Sequence, residues 1–89
     1  MNAIVTVIGK DRVGIIADVC ALLAKNKVNV LDISQTVMQE YFTMIMMVDT
    51  AEAELSFAEL VKLLEEEGKA LNLSIRAMRE DIFNAMHRI

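Results

Sequence analysis

The spacing of apolar residues changes repeatedly along this chain, and each change constrains the element that can form there. Residues 3–8, Ala-Ile-Val-Thr-Val-Ile, are a continuous β-branched run, too apolar throughout for a strand with one wet face, and they predict a central strand closed by Gly9. From Gly14 to Lys27 the apolar positions Ile15, Ile16, Val19, Leu22 and Leu23 recur at helical spacing, leaving Asp18, Lys25 and Asn26 for the opposite face. Asp11 is placed to cap this helix, and Asn26 or Lys27 to end it. Residues 28–39 then alternate, with Leu31, Ile33 and Val37 on one parity and Asp32, Ser34 and Thr36 on the other, which predicts an edge or half-exposed strand with one buried face. Phe42 to Val48 follows closely enough to make an antiparallel hairpin around Glu40-Tyr41, whose turn type the residues do not specify.

Ser56-Phe57-Ala58-Glu59 reads as a capping box opening a second helix along Phe57, Leu60, Val61 and Leu64, with Gly68 as its stop. Leu71 to Met78 predicts a fourth strand. The order β-α-β-β-α-β is that of the α+β, ferredoxin-like sandwich, in which two helices cover one face of a four-stranded antiparallel sheet. With no proline and no linker, residues 1–80 read as one domain followed by a tail, 81–89. In that tail Ile82, Phe83, Met86 and Ile89 make one apolar helical face. The third strand is apolar on both sides, Met44 and Met46 on one and Ile45 and Met47 on the other. The tail helix is therefore expected to cover part of the outer sheet face, in its own subunit or in a partner; a frayed end is the alternative.

Composition narrows the partners. A chain of 89 residues with 55% hydrophobic content, no Trp and only 4% aromatics must build its core from Ile, Val, Leu, Met and Ala. So much apolar content in so small a domain points to a second buried surface, most simply a homodimer. A net charge of −4 has the wrong sign for nucleic acid. No basic N-terminal region precedes Lys10 and no apolar run is long enough for a membrane helix, so a cytoplasmic protein without membrane contact is expected. Cys20, the single cysteine, lies among apolar neighbours and reads as a small core residue.

The stretch IGKDRVGIIADV, 8–19, places Gly9 and Gly14 between a strand and a helix as a phosphate loop does, but Ile15 and Ile16 stand where Lys and Ser or Thr would be needed. A helix start opened by glycine still suits a small carboxylate, with Lys10 and Arg12 adding attraction and Asp11 able to receive an ammonium; a compact corner without ligand is the alternative. His87 has no second metal-ligating neighbour, Glu65-Glu66-Glu67 reads as a solvated face, and Asp32, Asp49 and Asp81 lie on separate elements. Ser34 lacks a nucleophile elbow. No catalytic residue, metal or cofactor is expected.

KDRVGI at 10–15 after a strand, the βαββαβ order, and NKVNVLDIS at 26–34 together resemble an ACT domain, a ligand-sensing module of metabolic enzymes and regulators. The resemblance runs from residue 2 to about 80. In length and tail the chain is similar to short single-domain bacterial and archaeal ACT proteins, and its turn to those of ACT domains in glycine-cleavage repressors and formyltetrahydrofolate deformylases. Val13 departs from the proline common before the glycine. The resemblance implies a non-enzymatic, homodimeric regulator or sensor that binds a small molecule, in first place an amino acid. Lys10, Asp11, Arg12, Val13, Gly14 and Ile15 would form the binding turn, and Asn29 would reach the ligand across an interface that joins two sheets into one of eight strands. It leaves room for a ligand-free module that dimerises or binds a metabolic enzyme, and for a small acylphosphatase-like enzyme using Arg12.

Overall fold

The computed structural model describes residues 1–86. Its elements are β1 (Asn2–Lys10), α1 (Ile15–Lys25), β2 (Asn29–Met38), β3 (Tyr41–Asp49), α2 (Phe57–Ala70), β4 (Leu73–Arg79) and α3 (Glu80–Met86). The four strands form one antiparallel sheet in the order β2-β3-β1-β4, so the β-branched run of β1 is central, as its composition requires. This is the ferredoxin-like arrangement.

Strand parity divides the sheet. Ala3, Val5 and Val7 of β1 align with Val48, Met46 and Met44 of β3, and all six are fully buried together with Val19 and Leu23 of α1 and Leu64 of α2. Ile15, Leu60 and Ile75 close the same core. Cys20 is half-buried against it. On the opposite face Ile8 and Ile45 are 50% and 45% exposed, whereas Ile4 is only 6% exposed. Ile4 pairs with Met78 of β4, and α3 packs against both strands. Ile82 and Met86 of α3 remain exposed and Phe83 is half-buried; Ile89 and His87 fall outside the described residues.

Several sequence expectations need correction. β1 does not close at Gly9 but continues to Lys10, because Gly9 pairs with Phe42 and Leu73 and Lys10 pairs with Tyr41. Gly68 does not stop α2. It is buried inside the helix, where a Cβ would lie 2.9 Å from Ile75 Cγ1 and 3.0 Å from the Leu73 carbonyl oxygen, so its role is to bring α2 down onto β4. The helix ends at Ala70 with Leu71 as its C-cap, and Asn72 takes the left-handed conformation that follows, with φ 61°.

β2 lacks the buried face its alternation predicts. A bulge between Val30 and Asp32 removes Leu31 from the common parity. Ile33 and Val37 do align with Met46 and Phe42 on the helix side, yet they are 38% and 52% exposed, because among the described residues no strand stands beyond β2 to cover their flank.

Candidate functional site

The turn between β1 and α1 is assembled from sheet and helix together. Lys10 is the last residue of β1, paired with Tyr41, and the Asp11 N–H continues the ladder by donating to the Glu40 carbonyl at 2.7 Å. That bond keeps Asp11 with the strand, three residues before the helix. Asp11 is therefore not the helix cap: Gly14 is, at φ 91° and ψ 3°, with no side chain accepting from the first amides. An N-cap side chain works from an extended backbone, which the left-handed Gly14 does not have. The first helical bond runs from the Asp18 N–H to the Gly14 carbonyl, 2.9 Å. The start of α1 thus carries the unpaired amides and partial positive charge of any helix N-terminus, with no side-chain acceptor of its own.

Around it, Val13 is 98% exposed and Ile15 is anchored in the core. Lys10 forms no salt bridge among the described residues and projects its charge into solvent. Arg12 lies across the turn. Its Nη1 donates to Asp18 Oδ2 at 3.1 Å and to the Val13 carbonyl at 3.2 Å, and its Nη2 to the Leu71 carbonyl at 3.4 Å. The guanidinium therefore ties the loop to both the first turn of α1 and the α2–β4 connection.

Asn29 sits at the other end of the sheet, paired with Asp49, which pairs in turn with Asn2. Lys10 and Asn2 are separated by the length of β1, roughly 26 Å at the rise of an extended strand. One subunit therefore brings Lys10 to Ile15 together and leaves Asn29 apart. Asn29 instead lines a pocket of about 360 Å³ with Lys27, Val28, Asp49, Ala51 and Glu52. The Met1 ammonium lies 3.6 Å from Asp49, and Lys27 Nζ 2.6 Å from Glu54. Periodicity could not signal this pocket, because it depends on the left-handed Lys27, φ 58°, and on the loop after β3.

Among the described residues no helix is long and apolar enough to cross a membrane. A family model for the ACT domain matches residues 2–78. A UPF0237 protein of Clostridium acetobutylicum is 56% identical over 89 residues, the full length of both chains. The structure of an ACT domain protein from Streptococcus pneumoniae superposes with a TM-score of 0.84 at 42% identity, covering 98% of each chain. A formyltetrahydrofolate deformylase from Pseudomonas putida shares the fold alone, with a TM-score of 0.77 at 13% identity over 91% of this chain and 29% of its own. The turn, the sheet order and these relatives agree that the chain belongs to the ACT domain family.

Proposed function

We propose that this chain is a homodimeric, non-catalytic regulatory module that binds a small carboxylate, in first place an amino acid, at the start of α1. Membership in the ACT family supports the coarser statement, a small-molecule regulatory role. The observation that carries the finer one is the α1 start itself: Gly14 leaves its amides without a side-chain cap, Arg12 lies across the turn, and Lys10 ends the strand that leads into it. A carboxylate there accepts from backbone N–H groups without needing a side-chain donor. Val13 and Asp11 border the opening, and Ile15 fixes it to the core.

Dimerisation supplies the remaining half. If β2 pairs antiparallel with β2 of a second copy, the Asn29 end of one strand meets the Met38 end of the other. That end adjoins Tyr41 and Lys10 in the sheet. The partner's Asn29 would then lie near the turn and contact the ammonium or side chain of the ligand, with the pocket lined by Lys27, Asp49 and Glu52 beside it. Thermal shifts measured with the twenty amino acids and related acids test this. A stabilised wild type and an unresponsive Gly14→Leu are expected; a wild type that responds to none of them overturns the reading.

One observation favours a ligand-free assembly module instead, namely that Arg12 is already engaged by Asp18. That reading expects a stable dimer whose melting temperature is indifferent to metabolites.

A further inference from the structure

We propose that the free edge of β2 takes a second copy of this chain in one register, with Gln35 opposite the partner's Gln35, and that Asp32 blocks this edge until the copy arrives. The inference rests on the homodimer reading above and adds to it the pairing register and the residue that opposes pairing.

The direction of each backbone group along β2 follows from the hairpin. Met38 and Tyr41 flank the two-residue turn Gln39-Glu40, so they form a hydrogen-bonded pair, and Thr36, Ser34 and Asp32 repeat that orientation towards β3. The N–H and C=O groups of Ile33, Gln35 and Val37 therefore point away from β3, along the open edge. An independent contact agrees: the Ile33 N–H donates to Asp32 Oδ1 at 2.8 Å, a bond incompatible with a ladder partner on β3.

Natural sheets blunt open edges with charges, prolines or bulges. From Ile33 to Met38 β2 has none of the three, and every one of these residues is exposed. The bulge and the charge come just before this segment, at Leu31 and Asp32. The segment is open to another strand, and one carboxylate occupies its first edge donor.

Two-fold symmetry then limits the registers. With the axis at Gln35, Ile33 falls opposite the partner's Val37 on the helix side, and Ser34 opposite the partner's Thr36 on the outer side. Apolar meets apolar and hydroxyl meets hydroxyl, each pair occurring twice. Moving the axis to Ser34 sets Ile33 against the partner's Gln35, and moving it to Thr36 does the same to Val37. In the Gln35 register Asp32 lies beside the partner's Met38, so the two Asp32 carboxylates do not face one another. The Ile33 N–H must bond the carbonyl of the partner's Val37, and Asp32 must first release it, once in each subunit.

Sedimentation across a dilution series, using the full chain, tests both parts. Asp32→Ala is expected to tighten the dimer about tenfold, the effect of removing competing hydrogen bonds of ordinary strength. Asp32→Asn keeps an acceptor oxygen and should stay near wild type. Gln35→Pro removes an N–H that β3 does not use, so it should yield a folded monomer, whereas Ser34→Pro breaks a β3 bond and lowers the melting temperature. In a Cys20→Ser background, Gln35→Cys should form a covalent dimer on oxidation. Ile33→Cys should not, because its two copies lie roughly 13 Å apart along the strands.

A dimer that survives Gln35→Pro, or that links through Ile33→Cys instead, overturns the register while leaving the homodimer reading intact. A dimer broken by Gln35→Pro whose affinity Asp32→Ala leaves unchanged overturns the role of Asp32. A wild type and an Asp32→Ala variant that both remain monomeric overturn this proposal and the homodimer reading together.

Discussion

The two long helices begin on the same side of the sheet, and their first turns are built in opposite ways. At α2, Ser56 holds an extended backbone, φ −64° and ψ 160°; its side chain accepts from the Glu59 N–H at 3.2 Å, and Glu59 Oε1 accepts from the Ser56 N–H at 3.0 Å. At α1, Gly14 is left-handed, no side chain caps the helix, and the nearby acid Asp18 bonds Arg12 instead. The first start satisfies its own donors and gains stability. The second leaves donors facing outward, a cost in stability that makes sense where an external acceptor is to be bound. Substitutions at three positions break this contrast and one at a fourth sharpens it.

The largest effect is expected at Gly14. A β-branched residue forced to φ 91° costs roughly 1–3 kcal/mol, so Gly14→Val should lower stability in urea titration by about that amount and abolish any ligand-induced thermal shift. Gly14→Asn, which tolerates the left-handed region, should lose much less. A Gly14→Val protein as stable as wild type would show that the open start is not enforced by backbone conformation. Ser56→Ala comes next. Losing the capping hydroxyl costs about 1 kcal/mol, and because α2 keeps its donors to itself the ligand response should be unchanged. Arg12→Ala should move stability by about 0.5 kcal/mol or less, since its pair with Asp18 is more than a third exposed and largely screened. Its signature is instead a weaker thermal shift with carboxylate ligands and a smaller salt dependence of binding. An unchanged ligand response would remove Arg12 from the site.

The contrast also shows which features the sequence carries. The capping box at α2 was legible because it is a contract between two side chains at fixed spacing, Ser56 and Glu59, followed by an apolar stripe. The α1 start was not. Asp11 has the right chemistry for a cap, but tertiary pairing with Glu40 holds it in line with β1, and no local pattern reports that competition. Gly68 misleads for a similar reason: a glycine near a helix end looks like a stop, and only the approach of Ile75 on β4 shows that it makes room for packing. The element order survives such errors because it rests on whole runs of apolar spacing. In β2 the spacing told which residues share a face, apart from bulged Leu31, but not whether anything covers that face. Coverage belongs to the sheet order, and in a homodimer to a second chain.

The smallest effect sharpens the contrast by pH. The Ser56 backbone N–H, and then the Ser56 hydroxyl, hold the Glu59 carboxyl below its ordinary value. A group whose pKa is depressed on folding contributes stability that is fully present above its unfolded value, about 4.3 for glutamate, and lost as pH falls through the lower folded value. Glu59→Gln keeps an acceptor for the Ser56 N–H but cannot titrate, so its stability lacks this component at every pH. Urea titrations of the two proteins should therefore show a constant small advantage for wild type from neutral pH down to the usual glutamate range. That advantage should shrink on further acidification. Glu59 is exposed, so the effect is small and is largest at low salt. A pH-independent difference would mean that the charge of Glu59 does nothing at α2, and that the two helix starts differ through hydrogen-bond geometry alone.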